Sequence, residues 1–181
     1  MRCFALLGAF TLVAAGAAQT RFAIIGDYGA NTVAEGQVSN LVHSWNPEFI
    51  LTTGDNNYES GLLSTIDTNI GKYYHDTISP YIGNFGAGAV TNKFWPCAGN
   101  HDWGNIANNP TGLNPYLAYF TLPGNERYYD QAVGPVRFFM LDSDGNEPDG
   151  NTSTSIQANW LQNRLLLTSE PWKLVFMHHP P

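Results

Sequence analysis

Four short apolar runs, each ending abruptly in oxygen- or nitrogen-donor side chains, constrain this chain more than any other feature. Phe49-Ile50-Leu51-Thr52-Thr53 runs into Gly54-Asp55-Asn56-Asn57-Tyr58. Phe22-Ala23-Ile24-Ile25 runs into Gly26-Asp27-Tyr28-Gly29, and Lys93 to Ala98 runs into Gly99-Asn100-His101-Asp102. Leu174-Val175-Phe176-Met177 runs into His178-His179-Pro180. A short β-branched and aromatic run that stops at such a loop reads as a buried strand. Open α/β folds place ligands beyond the carboxyl ends of their strands, so the four loops are expected to share one site.

The segments between these runs complete an α/β reading. Val38, Leu41, Val42 and Trp45 recur at i, i+3, i+4 and i+7, which predicts a helix with that face inward. Asn46-Pro47 ends it, and a strand–helix–strand unit of this length implies parallel pairing through a right-handed crossover. Residues 60 to 80 read as helical in places, with Ile66, Ile70, Tyr73 and Tyr74 as the apolar side, and the glycine-rich stretch from Tyr81 to Asn92 reads as loop. Asn105 to Asn125 reads as a long surface loop with a short ordered piece. Arg127-Tyr128-Tyr129-Asp130 and Val136 to Leu141 flank a Gly134-Pro135 turn, a predicted hairpin. Thr154 to Leu167 is a predicted helix through Ile156/Trp160 and Leu161/Leu165, and Lys173 to Met177 the last strand. Trp95, Trp160 and Trp172 are expected in the core, Cys97 as a small buried hydrophobe, and His43 on the surface. Trp103 could line the pocket, and His179 is open between substrate contact and solvated loop.

At 181 residues, 43% hydrophobic, the chain is one globular domain's worth. A net charge of −7 with no Lys/Arg run argues against a nucleic-acid or anionic-membrane partner. Residues 1 to 19 read as an export signal: Arg2, an apolar stretch from Phe4 to Ala14, then Ala15-Gly16-Ala17-Ala18. That stretch is short for a membrane span of ~20 residues. The expectation is a secreted protein, without a membrane attachment once the signal is cleaved, whose catalytic domain runs from residue 20 to 181. Cleavage would remove Cys3 and leave Cys97 unpaired, and Asn151-Thr152-Ser153 is a glycosylation acceptor.

Asp27, Asp55, Tyr58, Asn100 and His178 together make a mixed oxygen and nitrogen donor set. Anionic oxygens suit a hard, highly charged ion, while imidazole and an amide oxygen suit a divalent first-row metal. A central carboxylate can bridge two metals about 3.5–4 Å apart, the spacing of two-metal hydrolases. Such a pair would clamp phosphate oxygens and lower the pKa of a bound water. His101 could then give a proton to the leaving alkoxide, with Asp102 orienting it.

The order Gly-Asp-x-Gly, Gly-Asp-Asn-x-Tyr, Gly-Asn-His-Asp and a strand ending in His resembles the calcineurin-like metallophosphoesterase superfamily, across residues 21 to 181. Tyr58, three residues after Asp55, is similar to the purple acid phosphatases within it. The resemblance implies a four-layer αββα sandwich and a secreted acid phosphatase that hydrolyses small phosphate monoesters by attack of a hydroxide activated at two metals. It implies Asp27 and Tyr58 on Fe(III), Asp55 bridging, and Asn100 and His178 on a divalent iron, zinc or manganese ion. It also implies a Gly-His-x-His motif downstream of His178, which this sequence does not contain. The expectation is therefore a chain truncated at its carboxyl end, with the last strands missing. A divalent-metal phosphodiesterase or nucleotidase, and a non-catalytic fragment, remain alternatives.

Overall fold

The computed structural model describes residues 19–104 and 111–180. Nearly all of the expected export signal, and residues 105–110 of the long loop, lie outside the described residues.

Two three-stranded sheets face each other. In the first, β1 (Phe22–Ile25), β2 (Phe49–Thr52) and β3 (Phe94–Trp95) run parallel, with Phe22 opposite Phe49 and Ile50 opposite Phe94. In the second, β4 (Tyr129–Val133) pairs antiparallel with β5 (Val136–Met140), and β5 pairs parallel with β6 (Trp172–Phe176). The β4–β5 hairpin and the parallel pairing of β1 with β2 follow the sequence reading. β3 is shorter than the predicted Lys93-to-Ala98 strand. Pro96 has no N–H to continue the ladder, and its carbonyl instead accepts the buried hydroxyls of Tyr116 and Tyr129 at 2.8 and 2.7 Å.

Alternation along the strands divides the first sheet's two faces. Phe49, stacked on Phe22, meets Phe138 of the second sheet at 5.5 Å, and Trp95 meets Phe138 at 5.7 Å, so this face is the sheet-to-sheet core. Phe94, on the other face, packs against Tyr74 at 5.4 Å. Tyr74 closes a helical stretch made of α2 (Leu63–Ile66), a π-helical turn (Asp67–Gly71) and α3 (Lys72–Tyr74). Ile66, Ile70 and Tyr74 are buried there as predicted. A short helix, α5 (Asn114–Tyr119), is the ordered piece of the long loop; on the far side, α6 (Ile156–Leu167) covers the second sheet, with Trp160 edge-on to Phe139. The layers are helix, sheet, sheet, helix, the predicted αββα order. Among the described residues, no helix is long and apolar enough to cross a membrane.

Four expectations are corrected. Helix α1 (Val33–Ser44) forms, but it buries Glu35, Ser39 and Val42, leaving Val38, Leu41 and Trp45 43%, 52% and 50% exposed. Two polar anchors set that rotation: Glu35 accepts the Ala30 and Asn31 N–H groups, and Ser39 donates to the Tyr73 carbonyl. His43 is half-buried, stacked on Tyr74 and within 3.1 Å of Asp76. Trp172 is largely exposed on the edge strand β6, whereas Trp95 is buried and Trp160 half-buried. Finally, Asn100–Trp103 is a helical turn, α4, rather than a loop. Cys97 is buried as expected, its Sγ 2.8 Å from the Leu141 carbonyl oxygen.

Candidate metal centre

The loops after β1, β2, β3 and β6 converge as the sequence predicts. Asp27, Asp55 and His178 each offer a donor atom within 4.8 Å of the others. Asp27 and Asp55 both have positive φ, 53° and 54°, a conformation that Asp tolerates better than most residues. Gly54 precedes Asp55 at φ 96°, and a β-carbon there would lie 2.8 Å from the His178 ring. Only glycine lets the second loop turn beneath that imidazole.

Asp55 is the centre of the cluster. It is 3% exposed, and its Oδ1 accepts the His101 N–H at 2.9 Å. Its Oδ2 is 3.0 Å from the Tyr58 hydroxyl and 3.4 Å from His178 Nε2. The Tyr58 hydroxyl also reaches Asp27 Oδ1 at 3.2 Å, so one phenol lies between two carboxylates. Burial, then the Asp55 carboxylate beside it, raises the pKa of that phenol. His178 Nε2 is also 2.9 Å from Asn100 Oδ1. All five predicted donors are therefore together: the Tyr58 hydroxyl links Asp27 to Asp55, and His178 Nε2 lies between Asp55 and Asn100.

The donor set fits a cation. His178 Nδ1 donates to the Thr53 carbonyl at 2.9 Å, leaving Nε2 to act as an acceptor when the ring is neutral. Nε2 then faces two further acceptors, Asn100 Oδ1 at 2.9 Å and Asp55 Oδ2 at 3.4 Å, with no proton in either contact. Ligands about 2.1 Å from one ion at right angles stand about 3 Å apart, so a positive ion resolves the arrangement.

His101 and Asp102, adjacent in sequence, part company in space. The His101 ring lies 4.4 Å from the Tyr58 ring, with Nε2 3.9 Å from Asp55 Oδ2. Its Nδ1 donates to the Glu59 carbonyl at 2.6 Å, since a carbonyl can only accept. The orienting group is thus the Glu59 backbone, which corrects the sequence expectation of Asp102. Asp102, 1% exposed, turns back at the third position of α4 to accept the Gly99 N–H at 2.9 Å. It also accepts the Asn56 N–H at 3.1 Å and Asn56 Nδ2 at 2.9 Å, while burial pushes its pKa up to about 6.

Asn56 escaped the sequence reading as a functional residue. Fully buried, it donates to Asp102 and the Cys97 carbonyl and accepts the hydroxyls of Thr52 and Tyr28. With Asp102 it ties the Asp55 loop to the Asn100 loop. Asn69, in the π-helical turn, holds the Tyr58 carbonyl and the Asn57 side chain at 2.8 Å each. Its only sequence signal was a polar residue amid the apolar side of a helix. Nearby, His179 is held by Ser143 at 2.9 Å, and Trp103 donates to the buried Asp142. Asn151 donates its side-chain amide to the carbonyls of Ser143 and Asp144.

The calcineurin-like phosphoesterase model matches residues 20–181. The chain belongs to that family. No curated protein matches it. Membership gives the converging loops their chemistry, phosphoester hydrolysis at a centre that is typically dinuclear in these phosphoesterases.

Proposed function

We propose that the chain is a secreted acid phosphatase acting on small phosphate monoesters. One observation carries this reading within the phosphoesterase family: the Tyr58 hydroxyl placed between Asp27 and Asp55. A phenolate is a hard anionic donor suited to a trivalent ion, whereas a pair of divalent ions would not need it. Asp27 and Tyr58 would hold Fe(III), Asn100 and His178 a divalent iron, zinc or manganese ion, and Asp55 would serve both. When bound, the pair would polarise phosphate oxygens and lower the pKa of a coordinated water.

The chain's own groups supply the rest. His101 Nε2 faces the cluster and is placed to hand a proton to the departing alkoxide, while the Glu59 carbonyl fixes the ring's orientation. The exposed Asp27 and Asn100 leave the centre open to small esters from solvent. The net charge of −7 and the signal-like residues 1 to 19 support a small-molecule substrate and export.

The test is spectroscopic and kinetic together. Iron-loaded protein should show a visible charge-transfer band that Tyr58→Phe removes, with kcat/KM for p-nitrophenyl phosphate falling about 10- to 100-fold. The wild type should prefer that monoester to bis(p-nitrophenyl) phosphate. A colourless protein fully loaded with two divalent ions and a preference for the diester would overturn the reading.

A further inference from the structure

We infer that the depression between the Pro123–Tyr128 loop and α6 is a carbohydrate-binding site separate from the metal centre. The cavity holds about 480 Å³, and Trp160, Tyr128, Asn125, Asp130 and Arg164 form much of its wall. None of these is a metal donor.

The wall is preorganised. Tyr128 meets the Trp160 ring edge-on at 5.0 Å and 62°, and Phe139 meets it at 6.4 Å and 73°, so the indole is fixed on two sides. Arg164 spends Nε and Nη2 on the Asp130 carboxylate at 2.8 and 2.9 Å. Its Nη1 has no partner among the described residues. Asn125 likewise uses Oδ1 to accept the Arg127 and Tyr128 N–H groups, leaving Nδ2 without one among those residues. An aromatic plane beside unspent, immobile donors matches a pyranose, which offers an apolar C–H face and a rim of hydroxyls.

The local charge selects against an anion. On the wall itself Arg164 is paired with Asp130; of the guanidinium groups adjoining wall residues, Arg137 is paired with Asp130 and Glu170, and Arg127, next to Tyr128, with Glu147 and Asp149. Three guanidinium groups meet four carboxylates, so a phosphate or carboxylate ligand would find no net positive field. A wholly apolar ligand would bury the free donors of Arg164 and Asn125 unpaired. A neutral sugar satisfies both conditions, and it would anchor the protein to glycans while the metal centre works elsewhere.

Saturation-transfer NMR on the whole chain tests this, with cellotriose, maltotriose and triacetylchitotriose as probes. At least one should receive magnetisation, strongest at ring C–H protons. Trp160→Leu keeps an apolar side chain against Phe139 but has no aromatic plane, and should weaken binding about tenfold. Arg164→Lys keeps a charge near Asp130 and should weaken it about threefold. Asp55→Asn should leave sugar binding unchanged whatever becomes of phosphatase activity, and Trp160→Leu should leave phosphatase activity unchanged. No transfer to any probe, undiminished transfer in a folded Trp160→Leu protein, or displacement of the sugar by inorganic phosphate would each overturn the inference.

Discussion

The floor and the rim of the metal centre are built on different principles. On the floor, Asp55, Asn56 and Asp102 are 3%, 0% and 1% exposed, and Asn56 and Asp102 give all their polar capacity to other protein groups. On the rim, Asp27 and Asn100 are exposed and Tyr58, His101 and His178 half-buried, with donor atoms turned toward one another. Floor residues fix where the loops are. Rim residues keep the lone pairs and protons that a ligand can use. Asp55 belongs to both, buried like the floor and shared among rim partners.

That dual position makes Asp55 the most sensitive residue. Asp55→Asn keeps an acceptor for the His101 N–H but removes the shared charge. We expect kcat/KM to fall about a thousandfold, and metal content to drop from two equivalents to one or none. Asp27→Asn, on the rim, should cost the protein a single ion. If metal analysis finds both ions retained in Asp55→Asn, the carboxylate is not the centre of the site.

The neighbours His101 and Asp102 sharpen the contrast. Asp102→Leu would leave Gly99 N–H and two Asn56 donors buried without acceptors, at a cost of about 3 kcal/mol in a urea melt. His101→Ala should change stability by only about 0.5 kcal/mol yet slow turnover about 100-fold or more. Equal melts for the two variants would erase the distinction between floor and rim.

The convergence of the candidate donors was legible because each lies in the loop after a strand-like run, and strand ends in a parallel sheet share one edge. The order of layers came from the family resemblance, and the residue pattern by itself gave only an α/β fold. Asp102 was misread because adjacency to His101 says nothing of direction. A residue at the third position of a helical turn points back at the cap, away from its predecessor's ring. The Thr53 and Glu59 carbonyls that orient His178 and His101 were out of reach, since a backbone acceptor leaves no trace in the residue type. The facing of α1 failed for another reason. Periodicity counts apolar side chains, and it missed two polar anchors, Glu35 and Ser39, that outweigh exposed Val38, Leu41 and Trp45.

Glu35 lies outside the centre, although it steadies the loop after Asp27. Burial pushes its carboxyl pKa up to about 7 from 4.5, against the pull of the Asn31, Ala30 and Thr32 backbone groups and of Lys72. Its Oε1 and the Tyr74 hydroxyl are both buried without a hydrogen-bond partner among the described residues. A raised carboxyl pKa means that the folded state binds the proton more tightly than the unfolded state. The associated stability is therefore complete below about pH 4.5 and declines as pH rises toward 7. The buried Asp142, also pushed up to about 7 by burial, acts in the same sense. We expect urea-melt stability to fall by at most about 3 kcal/mol per group across this window. Glu35→Gln carries no titrating proton and keeps an acceptor for Ala30 and Asn31, so it should remove one group's share of the slope. A wild-type profile that rises from pH 5 to 7, or an unchanged slope in Glu35→Gln, would show that this carboxylate is already ionised in the fold and that the loop after Asp27 is held by charge.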